Sequence, residues 1–223
     1  MDIAVCMHVA SEGPGTLGTF LESKGARLVY FPLFDGASVP SEPDRFSAVV
    51  SMGGPMNVYD DLPWIEPEDR FLRKAIEADI PVIGVCLGAQ LIAKACGAKV
   101  TRSPSEEIGW DKISLSAAGQ DEPLFAGLPE EMEVFQWHGD MFGIPDGGKL
   151  LASSTGCPHQ ALRYRNALGL QFHVEVTPEI LSEWFADDPR LDGILARYKE
   201  IGPVLDSLAT RLFTNFFDLV KAR

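Results

Sequence analysis

The sequence has few cysteines and few positive charges, and both shortages exclude classes of function. Its four cysteines, at positions 6, 86, 96 and 157, show no paired spacing and no Cys-x-x-Cys, which disfavours a disulfide framework or a zinc site. Lys and Arg number 19 against 32 Asp and Glu, and the net charge of −13 disfavours binding to nucleic acid or an anionic membrane. We therefore expect no nucleic-acid or membrane partner and no metal, and no motif indicates a cofactor.

Long apolar runs are also missing. None approaches the ~20 residues that span a bilayer, and the apolar start at residues 1–5 has no basic stretch before it. This start indicates a first strand rather than a signal peptide. We expect a reducing, cytoplasmic setting that would keep a reactive thiol free. The length of 223 residues, 46% of them hydrophobic, suits a single domain over residues 1–223.

Short apolar runs alternate with helical patterns over the first hundred residues. The runs predict strands at 3–9, 27–31, 46–52 and 80–85, with helices at 16–24, from Pro67, and at 87–96. This rhythm predicts an α/β fold with a doubly wound, mostly parallel sheet and flanking helices.

The pattern changes after Gly97. Six short strands are predicted there, which indicates a mixed extension of the sheet: 99–101, 108–115, 133–137, 150–153, 160–164 and 168–172. Further along, Gly202-Pro203 predicts a break in the chain. The apolar residues after it recur at helical spacing, which is typical of a helix packed on the core.

The most informative segment is Gly84-Val-Cys86-Leu-Gly88. A buried strand runs directly into a helix, with a cysteine at the junction and a glycine two residues away on each side. This is the pattern of a nucleophile elbow, with Cys in place of Ser. A helix N-terminus favours a thiolate and offers N–H groups to an oxyanion. Read alone, Cys86 is also compatible with a structural cysteine between two packing glycines.

A cysteine nucleophile needs a base and a group that orients the base. The sequence holds only four histidines, and His173 closes an apolar run and is followed two residues later by Glu175. If the strand continues, both side chains point to the same side, so the carboxylate can hold the imidazole. The alternative for His-x-Glu alone is a solvent-exposed strand end.

A glycine turn follows the third strand at Ser51-Met-Gly53-Gly54-Pro55. Its backbone N–H groups can approach a ligand closely because glycine has no side chain. One of them is a candidate second oxyanion donor beside the N–H of Leu87. A plain strand-ending turn is the alternative. Since such peptides can flip cheaply, the turn also leaves open an incomplete oxyanion hole that awaits a partner.

These three motifs, in this order, resemble the class I (triad) glutamine amidotransferases. In particular, the chain is similar to free-standing proteins that look like the glutaminase domain of GMP synthase. The resemblance implies the flavodoxin-like class I glutaminase fold. The sequence departs from many members of the family at Val174, where they have a proline between the triad His and Glu.

The resemblance also implies roles for named residues. Cys86 would be the nucleophile, His173 the general base and acid, and Glu175 the group that orients it. The N–H groups of Gly54 and Leu87 would form the oxyanion hole. The substrate pocket would be lined by Gly53, Gln90, Trp137, His138, Gly139 and Asp140.

The function that we expect is hydrolysis of a glutamine side-chain amide through a Cys86 γ-glutamyl thioester. Ammonia would be released for an acceptor or for a partner synthase, and the small-molecule substrate would be glutamine or a γ-glutamyl compound. Three alternatives remain at this point: a γ-glutamyl peptide hydrolase, a non-catalytic binding or regulatory module, and a cysteine-elbow protein of another family, which the late His-x-Glu fits poorly.

Overall fold

Nine strands form one continuous sheet in the computed structural model of the chain, which describes residues 1–223. The strands are β1 (Asp2–Met7), β2 (Arg27–Pro32), β3 (Ala48–Ser51), β4 (Val82–Val85), β5 (Val100–Leu115), β6 (Glu131–Phe142), β7 (Lys149–Ser154), β8 (Ala161–Tyr164) and β9 (Ala167–Leu170). Their order across the sheet is β2-β1-β3-β4-β9-β8-β7-β5-β6.

The first five strands in this order are parallel, and the remaining pairings are antiparallel. The parallel part has the strand order of flavodoxin-like folds, in which catalytic and binding groups gather at the carboxyl ends of the strands. The predicted α/β fold with a mixed extension is therefore confirmed. Only five of the nine strands belong to its parallel part.

Helices cover both faces of the parallel part. The six helices of the chain are α1 (Gly15–Ser23), α2 (Ile65–Glu77), α3 (Leu87–Ala95), α4 (Ala117–Gln120), α5 (Pro178–Trp184) and α6 (Leu191–Lys221). Of these, α4 packs instead on β7 and β5 of the antiparallel part. Successive residues of β1 point to opposite faces. Ile3 and Val5 join the core under α1 and α6, whereas Ala4 and Cys6 join the core under α2 and α3. None of the six helices combines the length and apolarity needed to cross a bilayer.

Several element boundaries differ from the sequence prediction. Helix α2 begins at Ile65, not at Pro67, because proline is tolerated within the first turn of a helix. The two strands predicted at 99–101 and 108–115 are one long strand, β5, whose register with β6 shifts between Arg102 and Glu107. Strand β9 ends at Leu170, short of the predicted 172.

The predicted break at Gly202-Pro203 is wrong. Helix α6 runs through Pro203 without interruption for 31 residues. The proline ring removes one backbone donor, which would otherwise bond to the carbonyl of Lys199. The helix nevertheless continues because the residues that follow are buried in the core, among them Leu205, Leu212 and Phe216.

Replacing Pro203 with alanine should therefore stabilise the protein. The exposed position gains a helical hydrogen bond and loses the ring clash, which together are worth up to ~3 kcal/mol in a helix interior. We expect the free energy of unfolding, measured by urea denaturation, to rise by at least ~1 kcal/mol.

The neighbouring exposed Val204 provides the matched control, and Val204→Ala should change the free energy of unfolding by less than ~0.5 kcal/mol. A neutral or destabilising effect of Pro203→Ala would indicate that the helix is interrupted at this position in solution.

Candidate active site

Cys86 lies on a sharp turn between β4 and α3. Its backbone has φ 51° and ψ −109°, a conformation that a non-glycine residue adopts only when its surroundings enforce it. The Cys86 N–H donates to the Leu170 carbonyl of β9 at 2.8 Å. The turn thus places the side chain at the carboxyl end of the parallel strands, directly before the N-terminus of α3.

The two flanking glycines make this turn sterically possible. A Cβ on Gly84 would overlap the backbone of Gly88 and Ala89, and a Cβ on Gly88 would overlap the carbonyl of Ser51. Strand β4, helix α3 and the end of β3 therefore pack backbone against backbone at this point. The glycine spacing that suggested an elbow reflects this close approach.

His173 and Glu175 form a buried pair beside the elbow. The His173 Nδ1 lies 2.6 Å from Glu175 Oε1, and the two side chains are 2% and 3% exposed. His173 also exchanges two backbone hydrogen bonds with Phe135 of β6. The exposed strand end that the sequence left open is thus excluded, because both groups are held in the interior.

The environment of His173 favours its charged form. Burial alone would lower the pKa of the imidazole. The negative charge of Glu175 and hydrogen bonds with Cys86 and Glu175 outweigh it and raise the pKa of His173 well above its usual value. With Nδ1–H donated to Glu175, the other ring nitrogen is left for the cysteine. The geometry suits a thiolate–imidazolium pair.

Two polar groups besides His173 contact the cysteine sulfur. Gln171 Nε2 donates to Cys86 Sγ at 3.7 Å, and the Cys86 thiol points to the Trp137 carbonyl at 3.7 Å. The side chain of Gln171 was not among the predicted site residues. Its place next to the last residue of β9 is the signal that would have found it, since the carboxyl ends of parallel strands carry the functional groups.

Two backbone donors beside Cys86 are unused. In the first turn of α3, the N–H groups of Gly88, Ala89 and Gln90 all bond to carbonyl groups, but the N–H of Leu87 has no protein acceptor. The N–H of Gly54 has none either. A Cβ on Gly54 would lie 3.0 Å from the Leu87 side chain, so the two residues are adjacent. This arrangement can hold a negatively charged oxygen.

The cleft above the elbow has a volume of about 530 Å³, within the usual range for small-molecule sites. Of the predicted site residues, eight line it: Gly54, Cys86, Gln90, Trp137, His138, Gly139, Asp140 and His173. The other three lie just behind this surface: Gly53, Leu87 and Glu175.

The side chains of Gln90 and Asp140 connect α3 with β6. The amide nitrogen of Gln90 donates to the Asp140 carbonyl at 3.3 Å and to Gln171 at 3.2 Å, which leaves its carboxamide oxygen for a ligand. The Asp140 carboxylate accepts from Asn57 at 2.7 Å and lies 3.5 Å from the Arg102 guanidinium. Both predicted pocket residues therefore also position the walls of the cleft.

Part of the cleft wall was not predicted from the sequence. Further lining residues come from three short segments and from β5: Val9, Ser11, Glu12, Pro55, Met56, Arg102, Glu106, Glu183 and Trp184. Burial raises the pKa of Glu12, whose carboxylate lies so close to Gly53 that a Cβ there would overlap it. Residues 9–12 follow β1, so their place after a parallel strand was the available signal.

A second Cys-His-Glu cluster lies beneath the cleft. Side-chain ligand atoms of Glu107, His138 and Cys157 all fall within 4.8 Å of one another, so an imidazole lies beside the Cys157 thiol. These atoms are already engaged: the Glu107 carboxylate accepts from Ser154, Gln160 and His138. Burial raises the pKa of the Cys157 thiol, which is fully covered. The cluster is a poor candidate for a nucleophile or a metal site.

Comparison with known families decides the class of the protein. Residues 21–187 match the family described as glutamine amidotransferase class-I. The chain belongs to this family. Membership confirms the resemblance drawn from the elbow, the glycine turn and His-x-Glu, and it supports hydrolysis of the glutamine amide as the general activity.

Individual relatives of this amidotransferase agree with the family assignment. The chain is 35% identical to the glutamine amidotransferase-like protein YfeJ of Salmonella typhimurium, over 80% of this chain and 77% of that protein. It is 36% identical to the GMP synthase of Thermomicrobium roseum, over 57% of this chain but only 23% of the synthase. The chain thus spans about a quarter of the GMP synthases that it matches.

Solved structures show the same architecture. A glutamine amidotransferase from Thermotoga maritima superposes with a TM-score of 0.88 at 29% identity, over 97% of both chains. A second one from Methylobacillus flagellatus gives a TM-score of 0.86 at 29% identity, over 98% of this chain and 94% of the other.

Alkylation should distinguish Cys86 from the other three cysteines of this amidotransferase. Cys6 and Cys157 are fully buried with raised pKa values, and burial raises the pKa of Cys96 to about 11. At neutral pH we expect iodoacetamide to add once, at Cys86, as read by peptide mass spectrometry. The Cys86→Ser variant should remain unlabelled on the same time scale, and an adduct at Cys6, Cys96 or Cys157 would contradict the assignment.

Proposed function

We propose that the protein hydrolyses the side-chain amide of glutamine through a γ-glutamyl thioester on Cys86. The observation that carries this proposal is the arrangement of Cys86 at the strained elbow, beside the buried His173–Glu175 pair. Nucleophile, base and orienting carboxylate stand in the order that covalent acyl transfer requires. All three belong to one domain over residues 1–223.

The reaction follows from the positions of these groups. The Cys86 thiolate attacks the amide carbonyl, and the carbonyl oxygen becomes an oxyanion that accepts from the N–H groups of Gly54 and Leu87. The His173 imidazolium then protonates the departing nitrogen, the C–N bond breaks, and ammonia leaves. His173, now neutral, takes a proton from water, which attacks the thioester and releases glutamate.

The remaining cleft residues fit the amino-acid end of the substrate. Gln90 lies on α3, and His138 and Asp140 lie on β6. The exposed Arg102 guanidinium also lines the cleft, 3.5 Å from the Asp140 carboxylate. A guanidinium suits a carboxylate, and the Gln90 oxygen suits an ammonium group. We assign these residues, with Gly53, Trp137 and Gly139, to binding of the substrate.

Glutamine is the first choice of substrate because glutamine hydrolysis is the general activity of the family. The ammonia would pass to an acceptor or to a partner synthase. The GMP synthase relatives contain a matching segment within much longer chains, which supports a synthase as the partner.

A γ-glutamyl peptide hydrolase is the second candidate. The cleft is also lined by Ser11, Glu12, Glu183 and Trp184, and the centroid of the Trp184 ring lies 5.0 Å from that of His173. A leaving group larger than ammonia needs room on this side of the scissile bond. The intact buried triad argues against the third possibility, a binding module without turnover.

The two histidines of the cleft should have separable roles. His173→Ala should lower kcat by at least ~10², the usual contribution of a general acid–base group, because the leaving nitrogen is no longer protonated. Both ring nitrogens of His138 face oxygen acceptors, Asp140 O and Glu107, so this side chain positions the cleft wall rather than the reacting atoms. His138→Ala should therefore mainly raise KM. Steady-state release of glutamate measures both parameters.

His159 is the matched control, because its ring bonds to the Phe142 carbonyl away from the cleft. His159→Ala should leave kcat and KM within about threefold of the wild type. If His138→Ala lost kcat and His173→Ala only raised KM, the two roles would have to be exchanged.

Substrate preference distinguishes the two candidate activities. We expect kcat/KM for glutamine to equal or exceed that for γ-glutamyl dipeptides, measured on the purified chain by glutamate release. A dipeptide preferred by more than ~100-fold, or about 2.7 kcal/mol of transition-state stabilisation, would show a site built for the larger leaving group. That result would favour the peptidase and leave the triad assignment intact.

A further inference from the structure

One peptide group, between Gly53 and Gly54, decides whether the oxyanion hole exists. The chain contains no cis peptide bonds, so the Gly53 carbonyl and the Gly54 N–H point in opposite directions. Gly54 borders the cleft. Whatever fixes the direction of the Gly53 carbonyl therefore also fixes the direction of the Gly54 N–H.

Backbone hydrogen bonds fix Met52, the residue before this peptide, but none fixes the Gly53–Gly54 peptide itself. The Met52 N–H donates to the Cys6 carbonyl at 3.0 Å, and the Met52 carbonyl accepts from the Gly88 N–H at 3.0 Å. The Gly53 carbonyl has a single protein donor, the Nδ1 of His8 at 3.1 Å. Two consecutive glycines impose little conformational preference of their own. The bond from His8 is thus the only polar restraint on the peptide.

His8 is in turn held by a buried carboxylate. Its Nε2 lies 2.8 Å from Glu68 Oε2, and both side chains are 0% exposed. The other oxygen of Glu68 accepts from the Ser51 hydroxyl at 2.8 Å, and the ring of Trp64 packs against the imidazole at 4.8 Å. Both ring nitrogens of His8 therefore face oxygen acceptors, an arrangement that a protonated imidazole satisfies completely.

The charge of Glu68 supports this protonation. Burial alone would lower the pKa of His8, but Glu68 and the Gly53 carbonyl raise it above the usual value. A fully buried, paired and hydrogen-bonded ion pair is costly to break. The pair is therefore a rigid support under the glycine turn.

We propose that the buried His8–Glu68 pair is a positioning device that locks the Gly53–Gly54 peptide with its N–H turned into the cleft. The inference rests on the proposed function, since it assigns the lock to the oxyanion hole of that reaction. It also bears on regulation. A hole that is held from within the chain is complete without a docked synthase, so amide hydrolysis should not depend on a partner.

Two isosteric variants separate the lock from a merely structural role. In His8→Asn the amide nitrogen takes the place of Nδ1 and still donates to Gly53, but the contact with Glu68 is lost. In His8→Gln the amide nitrogen takes the place of Nε2, so the contact with Glu68 remains and the bond to Gly53 is lost. Both variants remove the positive charge, so their difference compares the loss of the Gly53 bond with the loss of the Glu68 contact.

The lock predicts that His8→Asn, which keeps the bond to Gly53 but loses the support of Glu68, retains more of the wild-type kcat for glutamine than His8→Gln does. His8→Gln should fall at least ~10-fold below His8→Asn, or about 1.4 kcal/mol, with KM little changed. This loss is smaller than the 10²–10³ for removal of a whole oxyanion donor, because the unlocked peptide still samples the correct direction. Alkylation of Cys86 by iodoacetamide, which needs no oxyanion hole, should proceed equally in both.

A glutamine-like chloroketone gives a second readout that does not require turnover, because its ketone oxygen occupies the hole during attack by Cys86. Equal rates of chloroketone reaction in the two variants, or a greater loss in His8→Asn, would overturn the proposal. Thermal unfolding shows whether each variant folds. If only His8→Gln folds, it is compared with the wild type, and a kcat within about threefold of the wild type would overturn the proposal. If the wild type reacts with the chloroketone but hydrolyses no γ-glutamyl amide, the proposed function is wrong. The chloroketone rates of the two variants still test whether the His8–Glu68 pair positions the Gly53–Gly54 peptide.

Discussion

The site depends on one constraint, the sharp turn that places Cys86 between β4 and α3. The turn requires a positive φ at a non-glycine residue, and it is possible because Gly84 and Gly88 let the strand, the helix and the end of β3 pack backbone against backbone. It puts the thiol at the N-terminus of α3 and leaves the Leu87 N–H free. The proposed nucleophile, the stabilisation of its thiolate and one proposed oxyanion donor thus come from a single local geometry.

Buried histidine–glutamate pairs organise the groups around this turn. His173 pairs with Glu175, His138 with Glu107, and His8 with Glu68, and every one of these side chains is at most 5% exposed. Buried ion pairs contribute little net stability. We propose that they instead fix the orientation of three groups: the imidazole of the proposed base His173, the cleft wall on β6, and the Gly53–Gly54 peptide. A protein with a net charge of −13 thus keeps three of its four histidines paired with interior carboxylates.

Local patterns in the sequence predicted the part of this site that depends on neighbouring residues. The glycines around Cys86 and the spacing of His173 and Glu175 indicated the elbow and the pair, because each depends on residues within five positions. The contacts of His8 with Glu68, and of Gln171 with Cys86, join residues 60 and 85 positions apart, which no periodicity reveals. The continuous helix through Pro203 was missed for a related reason, since the packing of distant residues outweighs the local effect of proline.

The central claim is that a γ-glutamyl group is carried on Cys86 during turnover. Rapid acid quenching of the enzyme with excess glutamine, followed by peptide mass spectrometry, tests it most directly. The account predicts a glutamyl adduct on the peptide that contains Cys86, absent in Cys86→Ser, and its transfer to hydroxylamine as γ-glutamyl hydroxamate. Release of glutamate without any adduct on Cys86 and without hydroxamate would contradict the account.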